Sequence, residues 1–280
     1  MERFPKRRVG FVPTMGYLHE GHLSLFQYAR KDNDIVAASI FVNPAQFAEH
    51  EDFDVYPSNF ERDYNYLKDQ GVDAIFLPSA ASMYSDDHST WVVPDSDGQL
   101  AEGSSRPGFF RGVATVVTKL FNIVQPHTAY FGQKDAQQAM VISNMVKDLN
   151  INLDVKICPT VRESDGLAMS SRNVNLSEEV RSEARVIYEG MEAARQYFEN
   201  CKYDERSIQG SSVQSLKSEK LRSIIEEIYI SNPFVDEIHY ISVASKQTMQ
   251  EVDSVDLFDG GIVSVAVTMG GVRLIDNMLL

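Results

Sequence analysis

Cysteine is scarce in this 280-residue chain, with one at position 158 and one at 201. Two cysteines so far apart make neither a disulfide framework nor a zinc knuckle, and the compartment expected for them is the reducing cytoplasm. No apolar run approaches the roughly 18 residues of a membrane span, so no membrane partner is expected. Positive charge is also short. The 26 Lys and Arg face 40 Asp and Glu, which leaves a net charge of −14, and neither half of the chain is basic. A bulk field for nucleic acid or an anionic membrane is thereby excluded, and any anionic ligand must be gripped by a few placed groups. The start is basic (Arg3, Lys6, Arg7, Arg8) but lacks the apolar stretch of a secretory signal and the length of an amphipathic transit segment. Repeats and low-complexity tracts are missing. So are the G-x-S-x-G elbow, the G-x-x-x-x-G-K-[ST] loop and a G-x-G-x-x-G after a strand.

What is present is ordinary for a folded protein: 43% hydrophobic and 24% charged residues, in a length that suits two domains or one large one. Residues 9–12, 35–42, 73–77, 127–131 and 151–158 read as strands. Residues 21–31, 113–124 and 135–150 read as helices between them, and Ser58 with Glu61 forms a capping-box pattern for another that stops at Gly71. Strands apolar on both faces and alternating with helices predict an α/β fold, a parallel sheet with helices on both sides. From Ser177 the texture changes. Helices over 177–199 and 211–230 and strands over 235–243, 261–269 and 272–275 predict a smaller α+β unit, with a boundary near 160–176.

In such sheets ligands sit at the carboxyl ends of the strands, at a switch in strand order. That rule singles out four segments. PTMGYLHEGH (13–22) leaves a strand and opens a helix. Gly16 and Gly21 permit close backbone approach, and the helix N-terminus and the imidazoles of His19 and His22 suit a phosphate. The same histidines could merely pack, or form a zinc pair, although no further ligand stands at a suitable spacing. FVNPAQF (41–47) places Gln46 among aromatic residues, fit for a small polar ligand or for no more than an Asn-Pro turn. GQKDAQQ (132–138) offers Lys134 to a phosphate, with Asp135 as a possible helix cap and Gln138 one turn on. Met169, Ser170, Ser171, Arg172 and Asn173 make a polyphosphate clamp or a flexible interdomain loop. Trp91, Phe109 and Phe110 read as packing. Asp52 and Asp54 read as solvated, and His50, His88, His127 and His239 show no evident partners.

Taken in order, these clusters resemble the pantothenate synthetase (pantoate–β-alanine ligase) family of the nucleotidylyltransferase superfamily. The likeness extends through DVYPSNFERD, RPGFFRGVATVVTKLFN, PTVRESDGLAMSSRN and RLIDN (273–277). The His-x-Gly-His and Ser-Ser-Arg elements look like the HIGH and KMSKS signatures of class I aminoacyl-tRNA synthetases. The resemblance implies a Rossmann-like domain over residues 1–160 that binds nucleotide and pantoate, and a lid domain over 161–280 that starts with the MSSRN loop. It implies adenylation of pantoate by ATP with Mg2+, then displacement of AMP by β-alanine, in a cytoplasmic homodimer. By matching positions, Met15, Gly16, His19, Gly21, His22, Gly132, Gln133, Lys134, Asp135, Val161, Met169, Ser170, Ser171 and Arg172 would meet ATP, with His22 as proton donor and His19, Lys134 and Arg172 beside it in catalysis. Gln46 and Gln138 would hold pantoate, Gln46 also β-alanine, and Asn43 and Tyr56 would line the site. The family often has His where this chain has Phe109. It also usually carries a further helix and strand before the first strand, so a shortened or different start is expected here.

Two other classes compete. Another nucleotidylyltransferase would need basic residues for a second phosphate where Gln46 and Gln138 stand, and a non-catalytic ATP sensor would not need two histidines in the first turn. An RNA-binding relative of the synthetases is disfavoured by the charge of −14.

Overall fold

The apolar runs read as strands are strands, joined by helices. The computed structural model describes residues 7–49, 51–95, 98–207 and 215–280. In chain order the elements are β1 (Val9–Thr14), α1 (Glu20–Asp32), β2 (Ile35–Ile40), α2 (Phe60–Asp69), β3 (Ala74–Phe76), α3 (Ala80–Met83), α4 (Ala101–Ser105), α5 (Phe109–Val124), β4 (Thr128–Gly132), α6 (Ala136–Asp148) and β5 (Asp154–Cys158). They continue as α7 (Glu178–Glu183), α8 (Val186–Ser207), β6 (Ser215–Lys217), α9 (Ser218–Ser231), β7 (Val235–Ala244), β8 (Ser254–Asp256), β9 (Ile262–Met269) and β10 (Val272–Leu279). The chain divides into two units. One comprises Met1–Gly98, Arg106–Val161 and Met169–Ser171, the other Gln99–Ser105, Arg162–Ala168 and Arg172–Leu280.

The first unit is a five-stranded sheet in the order β3-β2-β1-β4-β5, with its pairings all parallel. From β1 the chain builds outward to β2 and β3, then returns to the other side of β1 for β4 and β5. The order therefore reverses between β1 and β4, and the carboxyl ends of those two strands bracket the crevice where this architecture binds ligands. Helix α1 starts at that crevice and runs back along the sheet, and at the opposite end it is drawn tightly onto the strands. Asn33, at its C-terminus, donates to Ala29 O (2.9 Å) and to the Tyr130 hydroxyl (2.7 Å). Gly10 makes room for it, because a Cβ at that position would lie 2.6 Å from Asn33 Nδ2.

Several boundaries differ from the sequence reading. Asn59, not Ser58, caps α2, accepting from Arg62 N–H at 3.0 Å; the two neighbours are of the same capping class, and the pattern alone does not choose between them. Helix α5 starts four residues earlier than its apolar pattern suggested, because Gly108 takes φ +83° and turns the chain into it. Residues 133–135 form a 3-10 turn before α6, and Asp135 stands at the cap position without a side-chain capping bond. The helix expected over 177–199 is two, α7 and α8. Of the helix expected over 211–230, residues 211–214 lie outside the described residues and 215–217 are strand β6.

The second unit holds a three-stranded antiparallel sheet, β10-β9-β7, and a two-stranded one, β6-β8. Its core is built from Ile187, Met191 and Phe198 of α8, Leu221, Ile225 and Tyr229 of α9 and the valines of β9. Burying side chains of this size contributes roughly 2–3 kcal/mol each. Arg162 makes two bonds to the buried Asp276 carboxylate (2.5 and 3.1 Å), and Arg273 makes two to Glu102 (2.9 and 2.8 Å), which ties segment 99–105 to this unit. Among the described residues no helix is long and apolar enough to cross a membrane.

Candidate functional site

The loop leaving β1 turns sharply. Gly16 and Tyr17 both take positive φ (87° and 51°). For Tyr17 that conformation costs about 1 kcal/mol or more, so something must hold it. The holder is Asp63 of α2, which is buried and accepts from Tyr17 N–H at 2.7 Å and from Leu18 N–H at 2.8 Å. Its neighbour Arg62 donates to Leu18 O at 2.8 Å and lies 4.6 Å over the Tyr17 ring. A Cβ on Gly16 would meet Ile40 at 3.0 Å and the Asp63 carboxylate at 3.1 Å, so glycine is required there by space as well as by φ.

The two histidines follow at the mouth of α1. His19 is the helix cap, and its Nδ1 accepts from Gly21 N–H at 3.2 Å. His22 Nδ1 accepts from His19 N–H over a longer 3.4 Å. Gly21 is needed because the His19 ring folds back over it; a Cβ would sit 2.9 Å from that ring. These bonds assign the tautomers. A ring nitrogen that accepts carries no proton, so each neutral imidazole has its hydrogen on Nε2. Burial, reinforced by His22, Lys134 and Arg62, pushes the His19 pKa down to about 2. Burial also lowers His22, to about 4, with Asp135 opposing and Lys134 adding to the shift. Both rings are therefore neutral donors at neutral pH. Because the unfolded rings take up protons near pH 6.5, the stability tied to their neutral state is intact above 6.5. It is lost as the pH falls from there toward the folded values.

The other sequence clusters of the first unit meet this loop. Lys134 and Asp135, in the turn after β4, are close enough to act electrostatically on the imidazoles, and Lys134 Nζ lies 3.8 Å from Asp135 Oδ1. Gly132 ends β4 at φ −82°, and a Cβ there would meet nothing within 4 Å. Neither strain nor crowding within the chain calls for glycine at that point, and the space in front of it is open. Val161 O accepts from Met169 N–H at 3.0 Å, the Met169 Cβ lies 3.7 Å from where a Cβ on Gly21 would be, and Ser171 Oγ donates to Tyr17 O at 3.1 Å. Gln133 and Ser170 belong to the same unit, whereas Arg172 belongs to the second. Gln138, on α6, is half-buried.

Gln46 stands on a 3-10 turn (Pro44–Gln46) beyond β2, with its Nε2 3.3 Å from Met15 Sδ. Asn43 is buried. Its Nδ2 donates to Gln46 Oε1 (3.0 Å) and Gly112 O (3.2 Å), and its Oδ1 accepts from Ala45 N–H and the Tyr84 hydroxyl. Tyr56 packs edge-on against Phe47, at 6.0 Å between ring centroids.

Some residues read as packing or unpartnered have other settings. Phe109 and Phe110 are buried, but Trp91 is 37% exposed and stacks on Tyr84. His127 Nδ1 accepts from Val9 N–H at 3.0 Å, His239 Nε2 is 2.8 Å from the Thr268 hydroxyl, and His88 packs against Tyr84 and Trp91. His50 lies outside the described residues. The sequence reading missed Asp63, Arg62, Arg106 and Glu51. Asp63 carries one signal: it is four residues before the buried Leu67, on the apolar face of an otherwise polar helix.

A family model described as Pantoate-beta-alanine ligase matches residues 1–279. The pantothenate synthetase of Thermotoga petrophila is 47% identical over 279 residues, covering 99% of this chain and 94% of the relative. The crystal structure of pantothenate synthetase from Thermus thermophilus superposes with a TM-score of 0.85 at 43% identity, covering 97% of this chain and 92% of that one. The pantoate-beta-alanine ligase of Francisella tularensis, solved with beta-gamma ATP and beta-alanine, gives a TM-score of 0.73 at 35% identity over 99% and 92%.

Proposed function

Since this chain belongs to the pantoate–β-alanine ligase family and is an enzyme that condenses pantoate with β-alanine, we propose that it does so through a pantoyl adenylate made from ATP at the crevice between β1 and β4. The observation that carries the proposal is the meeting of neutral Nε2–H imidazoles, an ammonium and an amide-bearing turn around one tightly held loop.

Pantoate arrives ionised, since a carboxylate has an ordinary pKa near 4. Its oxygen bonds to the α-phosphorus, the bridge to the β-phosphorus breaks, and pyrophosphate leaves with the electron pair. No general base is needed. The work is to hold the partners in line and to spread the charge on the phosphoryl oxygens. His19 and His22 donate through Nε2, Lys134 supplies a point charge, and Ser170, Ser171 and Arg172 complete the grip on the nucleotide. Met15, Gly16, Gly21, Gln133, Asp135, Val161 and Met169 shape its bed, and Gly132 gives it room. Gln46 and Gln138 hold the acid by its hydroxyls and carboxylate. Leaving either half-buried amide unpaired penalises analogues that lack the hydroxyl. Tyr56 closes the aromatic side, and Asn43 acts through Gln46. In the second step the β-alanine nitrogen bonds to the acyl carbon, AMP departs with the acyl oxygen, and the amine gives up a proton. The adenylate hydrolyses in water, so a lid is needed to exclude it, the role given to residues 161–280.

Among the described residues no three His, Cys, Asp or Glu side chains are grouped to hold a metal. Magnesium fits this set as the complex in which ATP arrives, held through phosphate oxygens. The family also implies a cytoplasmic homodimer with small molecules as its only substrates, in keeping with a net charge of −14 that does not favour nucleic acid. The test is isotope exchange between ATP and pyrophosphate. The proposal expects exchange that requires pantoate and proceeds without β-alanine, with AMP release needing all three. Exchange independent of pantoate would overturn it.

A further inference from the structure

Gln46 is held from behind as well as from the side. Arg106, just before α5, donates through Nε and Nη2 to the two oxygens of Glu51 (2.7 and 2.5 Å), and through Nη2 also to the main-chain oxygen of Gln46 at 3.1 Å. Its guanidinium lies 4.0 Å over the Phe109 ring. The pair is largely shielded, with 12% and 17% of the two side chains exposed, so the ion pair is tight and its geometry is narrow. Glu51 also accepts from Ala48 N–H at 3.3 Å, which closes the chain back onto the turn. Helix α5 presses on the same turn, since a Cβ on Gly112 would come within 2.2 Å of Ala45 O. With the Oε1 of Gln46 taken by Asn43, the Nε2 is left facing a thioether, a weak acceptor that a ligand oxygen displaces readily.

We propose that Arg106, bridged to Glu51 and faced by Phe109, is a positioning residue that aims the Gln46 amide at the acid substrate. The inference rests on the reading of Gln46 as the group that holds pantoate. Arg106 holds this residue at its main-chain oxygen, Asn43 holds it at its side-chain oxygen and its main-chain N–H, and Gly112 lies under the turn. Of these contacts, the one from Arg106 depends on a charge carried by another part of the chain. Phe109 gives the guanidinium an apolar, electron-rich face and no competing hydrogen bond, so the fork stays on Glu51 and Gln46. A histidine at 109 would add a donor and a titrating group at that face.

The experiment measures the pantoate and ATP requirements of pantoate-dependent ATP–pyrophosphate exchange in Arg106→Lys, Gln46→Ala and the double variant, with Glu51→Gln as a milder second probe. Lysine keeps the charge but cannot make two parallel bonds to a carboxylate. Arg106→Lys is expected to raise the pantoate KM by about tenfold and leave the ATP KM within about twofold, and Glu51→Gln to shift the same way by less. In the double variant the pantoate KM should match that of Gln46→Ala alone, because an aim without its amide has nothing left to lose. The proposal is overturned if both single clamp variants keep the parent pantoate KM. It is equally overturned if the Arg106→Lys effect multiplies in full onto Gln46→Ala, or if ATP and pantoate requirements rise together. An unchanged pantoate KM in Gln46→Ala itself would instead remove Gln46 from the acid pocket, and the clamp's role with it.

Discussion

Lys134→Ala lowers pantoate-dependent ATP–pyrophosphate exchange by about a hundredfold or more on this account, with no loss of the fold. The magnitude follows from the worth of one placed donor at a developing phosphoryl charge, roughly 3 kcal/mol. The sparing of the fold follows from position. Lys134 stands on a short turn after β4, its Nζ is 3.8 Å from Asp135 Oδ1, and its charge acts against the protonation of both imidazoles. Removing the ammonium therefore also lets the His19 and His22 pKa values rise toward the ordinary histidine value. Exchange rates and thermal unfolding measured on one preparation separate the two effects. Parent-level exchange in Lys134→Ala would remove the residue from the mechanism.

Asp63→Ala is expected to damage both stability and exchange. The carboxylate is the acceptor for two successive main-chain N–H groups, at 2.7 and 2.8 Å, in a loop whose Gly16 and Tyr17 lie in the left-handed region. Without it two N–H groups lose charged acceptors, at a cost of about 3–5 kcal/mol together, which lowers the Tm of a chain this size by on the order of 10 °C. Released from Asp63, the loop no longer presents His19 and His22 at fixed spacing, and the ATP KM rises. Asp63→Asn is the sharper version. An amide keeps the shape but offers one oxygen and one NH2 to two donors, so it should behave nearly as badly as alanine. An Asp63→Asn protein with parent stability and parent ATP KM would contradict the role given to this residue.

The pattern of apolar runs was enough to read the sheet, because its central strands β1, β2 and β4 are largely buried and carry a continuous signature, and the turns between strands are marked by glycine and proline. The rule about strand ends then pointed to the loops after β1, β2 and β4, and the unusual residues were indeed there. What escaped was contact made across sequence distance. Arg106 and Glu51 are 55 residues apart and Asp63 is 45 from Leu18, and no local period reveals either pairing. The break between α7 and α8 carries no proline or glycine; it falls where Ala184, Val186 and Ile187 turn inward to the core of the second unit. Asn43 shows the limit in another form. Its sequence context suggests an Asn-Pro turn and the family resemblance a place lining the site, but neither shows that both ends of its amide brace Gln46 and the turn around it.

The physical core of the account is a pair of neutral imidazoles with hydrogen on Nε2, held at the mouth of α1 for a triphosphate. Nitrogen-15 NMR of histidine-labelled protein tests it most directly, following both ring nitrogens of His19 and His22 from pH 8 to pH 5 with and without ATP. The account predicts the Nε2–H tautomer for both rings, no titration near 6.5 in the free enzyme, and Nε2 shifts on adding ATP that His127 and His239 do not share. Rings that titrate near 6.5, carry hydrogen on Nδ1, or ignore ATP would contradict it.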